Sequence, residues 1–136
     1  MSLIGAVSRA RLLAIVHEMS IAMSLVEMAT EEAARLHAGR VVKVHVRVGR
    51  LSGVVPEALA FAFDAAAAGG ALDGAELVIE DVPASIYCDI CDATRELPSV
   101  QHRHCPVCDA PALQVTAGRE LQLSALEVDD HVAAHR

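Results

Sequence analysis

The stretch that decides the organisation of this chain is Cys88-Asp-Ile-Cys91, followed after 13 residues (92–104) by Cys105-Pro-Val-Cys108. The chain has four cysteines in all, and each Cys-x-x-Cys turn directs two sulfurs towards one point. Two such turns supply four thiolates, which form the complete tetrahedral shell of a structural Zn²⁺. The sequence therefore predicts a zinc site formed by Cys88, Cys91, Cys105 and Cys108.

Two other interpretations of the cysteines remain open at this point. Disulfides are typical of secreted proteins, but residues 1–16 lack the long apolar stretch and cleavage site of a secretory signal. A thiol–disulfide enzyme needs a reactive thiolate at a helix N-terminus, whereas both pairs lie in turn-rich sequence.

Two histidines lie just before the second cysteine pair. His102 and His104 could replace a cysteine ligand, lie beside the ligands, or be solvated.

Composition limits the function further. The 136 residues carry 18 acidic and 11 basic side chains, a formal net charge of -7, without a cluster of Lys and Arg interleaved with aromatic residues. This argues against a nucleic-acid partner. No apolar run approaches the ~20 residues of a membrane span. We therefore expect a cytoplasmic protein that binds neither nucleic acid nor membrane.

The periodicity of apolar residues predicts an α+β fold. A first helix is expected over Ser20–His37, with Ser20 as its N-cap and Gly39 just beyond its end. Its buried face is predicted to contain Ile21, Leu25, Met28, Ala29 and Leu36. Valines alternate with polar residues along Val41–Val48, which is typical of a half-buried strand.

Further elements follow on either side of the cysteines. Pro56 begins a second helix that runs to about Ala68, where two glycines stop it. Ala75–Val82 and Arg119–Val128 are predicted strands. The fold class is thus a small sheet of about three strands packed with two helices, with an inserted zinc-ribbon-like module that has four cysteines.

The predicted domain organisation follows from this pattern. Residues 1–16 form an N-terminal extension, 17–83 with 113–130 form the α/β domain, 84–112 form the zinc domain, and 131–136 form a mobile tail. The module contains few apolar side chains, so we expect metal rather than a core to hold it together.

Six segments, taken in order, resemble the HypA/HybF family of nickel metallochaperones. They are His17-Glu-Met-Ser20, Val44-His-Val-Arg-Val-Gly-Arg-Leu-Ser-Gly53, Leu59-Ala-Phe-Ala-Phe-Asp64, the two cysteine pairs and Gly118-Arg-Glu-Leu-Gln-Leu-x-x-Leu-Glu-Val128. Each segment alone is weak, but their joint order and spacing are specific.

The resemblance implies a nickel-binding α/β domain with a zinc domain inserted between strands. It implies that His17 is the nickel ligand and that the backbone amide of Glu18 assists. It also implies delivery of nickel to the large subunit of a [NiFe]-hydrogenase, with a maturation GTPase and, in some organisms, urease accessory machinery as partners. The sequence contains no catalytic triad, phosphate-binding loop or open zinc site, so we expect no enzymatic activity. Imidazole and amide nitrogens suit square-planar Ni²⁺. From the residues alone, however, His17 would be an ordinary polar residue before a helix.

The chain departs from the family pattern at its start, because Val16 stands where the family has its first methionine. We expect the natural start to lie at Val16, read as methionine. The alternative function is a zinc-ribbon adaptor between proteins, without a role in nickel delivery. A monomer or weak homodimer is expected.

Overall fold

The computed structural model describes residues 9–112 and 114–129, and for 9–16 it describes the backbone alone. The predicted tail over 131–136 lies outside the described residues. The elements in chain order are α1 (Arg9–Arg35), β1 (Arg40–Gly49), α2 (Pro56–Ala67), β2 (Glu76–Val82), β3 (Ser85–Cys88), β4 (Ala93–Glu96), β5 (Gln114–Ala117) and β6 (Leu121–Asp129).

The strands form two three-stranded sheets, in the orders β2-β1-β6 and β4-β3-β5. The predicted α+β class is confirmed, and β6, which covers most of the strand predicted over Arg119–Val128, pairs with β1 as expected. The described chain divides into two compact units. One contains the residues up to His45, Val55–Val78 and those from Leu123 onward, and the other contains Val46–Val54 and Ile79–Gln122. The predicted domain boundaries stay a prediction.

Strand β1 and helix α2 follow their sequence patterns closely. Val44, Val46 and Val48 are buried, as the alternation predicts, because successive side chains of a strand point to opposite faces. Helix α2 begins at Pro56. Proline is well tolerated at the first helical position, because a backbone N–H there would have no partner within the helix. The buried face of α2 consists of Leu59, Ala62, Phe63 and Ala67.

Helix α1 differs from its prediction at both its start and its buried face. It begins at Arg9, so Ser20 lies inside the helix and is not its N-cap. Residues 9–19 include Arg, Leu, Ala and Met without Gly or Pro, and these continue a helix readily. Met28 and Leu36 are exposed, contrary to the prediction. In the described part of the chain, no helix is both long and apolar enough to cross a membrane.

Two glycines allow the chain to pass very close to itself beside β3. The N–H of Leu51 donates to the carbonyl of Gly118 at 2.6 Å. A side chain on Gly49 would stand 2.0 Å from that carbonyl oxygen, and Gly118 itself has a φ of 115°. Both positions therefore require glycine, one for space and one for backbone conformation.

The second sheet has a small core of its own, which the sequence did not lead us to expect. The buried residues of this core are Ala84, Ile86, Cys88, Leu97 and Cys105. Leu51 and Val115 are half-buried against it. Two of the five buried members are cysteines, so the stability of this core depends on what the sulfurs bind.

Candidate metal centres

The four cysteine sulfurs meet at one place, as the spacing of the two pairs predicts. All four Sγ atoms lie within 4.8 Å of one another. Cys88 and Cys108 are 3.4 Å apart, Cys91 and Cys105 are 3.9 Å apart, and all four cysteines are free. We refer to these four sulfurs as the sulfur cluster.

The dimensions of the sulfur cluster fit zinc. A tetrahedral Zn²⁺ with Zn–S bonds of about 2.3 Å holds its sulfurs about 3.8 Å apart, which falls among the observed separations. Thiolates are also the donors that zinc prefers in closed structural sites. The residues present therefore satisfy both the geometry and the donor chemistry of a zinc centre.

In each cysteine pair, a backbone N–H donates to the sulfur of the first cysteine and holds the turn. The N–H of Cys91 points to the sulfur of Cys88 at 3.4 Å, and the N–H of Val107 points to that of Cys105 at the same distance. The residues directly after the pairs, Asp92 and Asp109, have φ values of 53° and 66°. Aspartate tolerates this left-handed conformation better than most residues, so an Asp after each pair is a local signal for this turn that we had overlooked.

The sulfurs compete for protons in the absence of a cation. The N–H of Cys108, with that of Val107, lowers the pKa of the Cys105 thiol to about 6 against the effect of burial. The N–H of Ala110 acts to lower the pKa of Cys108, but the other sulfurs and burial raise it to about 12. A divalent cation removes this conflict, since it stabilises all four thiolates together.

Neither of the two histidines before Cys105 belongs to this group of ligands. Among the described residues, the cluster of candidate metal ligands contains the four cysteines and neither His102 nor His104. The two imidazole rings contact each other edge to face, with centroids 6.1 Å apart. The Nε2 atom of His102 is buried without a hydrogen-bond partner.

The predicted nickel ligand, His17, has an exposed side chain on α1. The described side chains provide no group of three or more candidate ligands around it. Because His17 and Glu18 lie inside the helix, their backbone amides belong to its i→i−4 hydrogen-bond pattern. An amide could therefore bind a metal only where the helix opens.

Glu18 has a structural role that sequence reasoning missed. It lies on the same face of α1 as Ala22, Leu25 and Ala29, and its side chain is fully buried. Its Oε2 accepts a hydrogen bond of 2.7 Å from the N–H of Val55, while its Oε1 is buried without a partner. The spacing of these four residues (18, 22, 25, 29) is the helical period that could have revealed it.

The Glu18 carboxylate caps α2 from the neighbouring helix. Val55 is the N-cap of α2 and offers no side-chain cap, and Pro56 has no N–H. In a capping box, an acid of the same helix reaches back to the N-cap N–H, and here an acid of α1 takes that place. The negative charge also suits the positive end of the helix dipole.

We expect Glu18→Ala to lower the free energy of unfolding of the unit that contains α1 and α2 by about 2 kcal/mol, the usual contribution of a hydrogen bond to a charged group. Glu18→Gln should cost less, because its amide oxygen can still accept the Val55 N–H. Glu27→Ala, an exposed acid on the same helix, is the matched control. Urea denaturation followed by helical circular dichroism measures all three, and equal midpoints for Glu18→Ala and Glu27→Ala would contradict the capping role.

Comparison with known proteins gives a consistent result. Residues 16–128 match the family described as hydrogenase/urease nickel incorporation, metallochaperone, HypA. The chain is 51% identical over 114 residues to the hydrogenase maturation factor HypA of Roseiflexus sp. (strain RS-1), covering 84% of this chain and 93% of that protein. It is 47% identical over 111 residues to the protein of the same name from Chloroflexus aurantiacus (strain ATCC 29366 / DSM 635 / J-10-fl), covering 82% and 97%.

Solved structures show the same fold. A solution structure of a HypA protein aligns with a TM-score of 0.64 at 24% identity, covering 85% of this chain and 98% of that one. The solution structure of the Ni metallochaperone HypA from Helicobacter pylori aligns with a TM-score of 0.60 at 24% identity, covering 82% and 96%.

Proposed function

Because this chain belongs to the HypA family of metallochaperones for nickel incorporation into hydrogenase and urease, we propose that it binds Ni²⁺ at His17 and delivers it to a [NiFe]-hydrogenase. Nickel is the cargo of this protein and not a resident cofactor. The assignment to His17 rests on membership of this family, whose match begins at residue 16, and the exposure of the imidazole on α1 leaves it accessible to a metal ion.

The surroundings of His17 suit a donor that must release its metal. Imidazole binds Ni²⁺ well, and a side chain at the surface leaves the remaining coordination positions open to an acceptor protein. Glu18 is engaged with α2 through its side chain, so only its backbone amide is proposed as a donor. For the Glu18 amide nitrogen to bind nickel, the helical hydrogen bonds in the first part of α1 must break. In a form of the protein that starts at Val16, this amide would lie in the first turn of the helix, where backbone N–H groups have no helical partner.

We further propose that Cys88, Cys91, Cys105 and Cys108 hold a structural Zn²⁺. Bound zinc would neutralise part of the thiolate charge and fix the two turns in place. The support is the spacing of the sulfurs and the presence of two of them in the small core of the second sheet. A closed shell of four sulfurs leaves no position for a substrate, so we expect no enzymatic activity at this centre.

The expected partners follow from the same proposal. They are the hydrogenase large subunit, a maturation GTPase and urease accessory proteins, with the cytoplasm as the site of action. The alternative function, a zinc-ribbon adaptor without a nickel role, has no observation of its own in its favour. The two functions differ in whether metal moves to a partner.

A transfer experiment tests the proposed function. The protein is loaded with radioactive ⁶³Ni²⁺ and mixed with the unprocessed hydrogenase large subunit and the GTPase, and the label on each protein is then measured after separation. We expect the label to move to the large subunit faster than from free nickel at the same concentration. Binding to the large subunit without movement of label would favour the adaptor function and contradict nickel delivery.

A further inference from the structure

Arg95 lies on the face of the second sheet that carries the sulfur cluster. Strand β4 pairs antiparallel with β3, so that Arg95 stands opposite Ile86 and Ala93 stands opposite Cys88. Residues directly opposite in an antiparallel pair share one face of the sheet. Ile86 and Cys88 are buried on that face, while Thr94 on β4 points the other way and is exposed.

The side chain of Arg95 is half-buried on this face of the sheet. Its Nε atom is buried, although arginine side chains are usually exposed. That Nε has no hydrogen-bond partner in the structure, and the nearby thiols of Cys91 and Cys105 raise the pKa of Arg95. The ion pairs among the described side chains engage Arg35, Arg47 and Arg50 with carboxylates, and Arg95 is in none of them.

A cation at this place matches the charge of the proposed metal centre. Four thiolates around one Zn²⁺ leave a net charge of −2, and this charge makes the sulfurs reactive towards protons and electrophiles. Guanidinium carries a permanent positive charge and several N–H donors in a planar fork, so it can serve two sulfurs at once. Groups that donate to metal ligands typically change metal affinity by about 10–100-fold when they are removed.

We propose that Arg95 is a positioning residue of the sulfur cluster, whose guanidinium donates to Cys91 and Cys105 and thereby retains the bound zinc. This inference rests on the proposed zinc site, which the spacing of the cysteines supports independently of Arg95. In this proposal, the Arg95 side chain slows the release of zinc from the four cysteines. The assignment concerns zinc retention only, and nickel binding at His17 has no part in it.

The test measures the release of zinc from the full-length protein to the chromogenic chelator 4-(2-pyridylazo)resorcinol. Arg95→Met keeps most of the aliphatic stem and removes the charge and the donors, and we expect it to release zinc about 10-fold faster than the unaltered protein. Arg95→Lys keeps the charge without the fork and should fall between them. Arg103→Met is the matched control, because Arg103 is exposed in the same segment and donates to the carbonyl of Val100.

A second readout separates this role from a purely structural one. With Co²⁺ in place of Zn²⁺, the thiolate-to-metal charge-transfer bands report the electron density on the sulfurs, and Arg95→Met should shift them while Arg103→Met does not. Unchanged bands and an unchanged release rate in Arg95→Met would overturn the inference and leave the zinc assignment intact. If the unaltered protein contains no zinc by elemental analysis, the proposed zinc site itself fails. If Arg95→Met does not fold, the Arg95→Lys rates decide.

Discussion

On the proposed zinc assignment, Cys105→Ser should abolish zinc binding and unfold the second sheet. Cys105 supplies one of four sulfurs and is also 1% exposed within the small core beside Ile86 and Leu97. Structural zinc sites in small modules contribute about 10–16 kcal/mol of apparent binding free energy at neutral pH, which exceeds what so small a core can supply. Serine is a poor zinc ligand and places a hydroxyl in an apolar site, so both contributions are lost together.

Elemental analysis and two-dimensional NMR check this prediction. We expect zinc to fall from about one per chain to a small fraction, and the amide resonances of β3, β4 and β5 to collapse towards unfolded positions. Val107→Ser is the matched control, because Val107 lies in the same turn with an exposed side chain. A Cys105→Ser protein with full zinc content and dispersed resonances would contradict the assignment of Cys105 as a ligand.

His17→Ala should abolish specific nickel binding while zinc content and fold stay unchanged. The His17 side chain is exposed, so its removal leaves no cavity and breaks no core contact. Loss of a metal ligand should cost more than the ~10–100-fold in affinity that is typical of groups behind the ligands. The physical reason is that, among the described side chains of α1, His17 carries the one imidazole.

Equilibrium dialysis with nickel, together with zinc analysis of the same samples, measures the effect. His37→Ala serves as the control, since His37 is an exposed histidine just beyond the end of α1. Nickel-edge X-ray absorption on the full chain and on a form starting at residue 16 would report whether backbone nitrogens join the imidazole. Equal nickel affinities for His17→Ala and His37→Ala would refute the nickel assignment.

Local sequence patterns predicted most of the fold. The alternating valines of β1 and the Pro56 start of α2 need no information from distant residues, and both predictions are confirmed. The predicted start of α1 at Ser20 was wrong. Ser20 is a good N-cap residue, but residues 9–19 contain no Gly or Pro that would stop a helix, and α1 begins at Arg9. The exposure of Met28 could not be predicted, since it depends on which other element packs against that face.

In the candidate sites, too, features set by neighbouring residues could be predicted from the sequence, and features set by distant contacts could not. The sulfur cluster could be predicted, because each pair forms its own turn and four sulfurs suit one ion. The buried carboxylate of Glu18 could not, since its partner Val55 lies 37 residues away. The position of Arg95 could not either, since it depends on the register between β4 and β3. His17 came from family resemblance, and no periodicity or spacing in the chain distinguishes it.

The pairing between β3 and β5 allows the chain segment between them to be replaced, in evolution or by engineering. Ser85 stands opposite Ala117, so the chain leaves for the cysteine segment and returns at two neighbouring positions, about 4.8 Å apart. A loop whose two ends already meet can be lengthened, shortened or exchanged without altering the span that the flanking chain must cover. The segment between Ser85 and Ala117 could therefore be replaced as one unit by a different metal-binding segment joined at the same two residues.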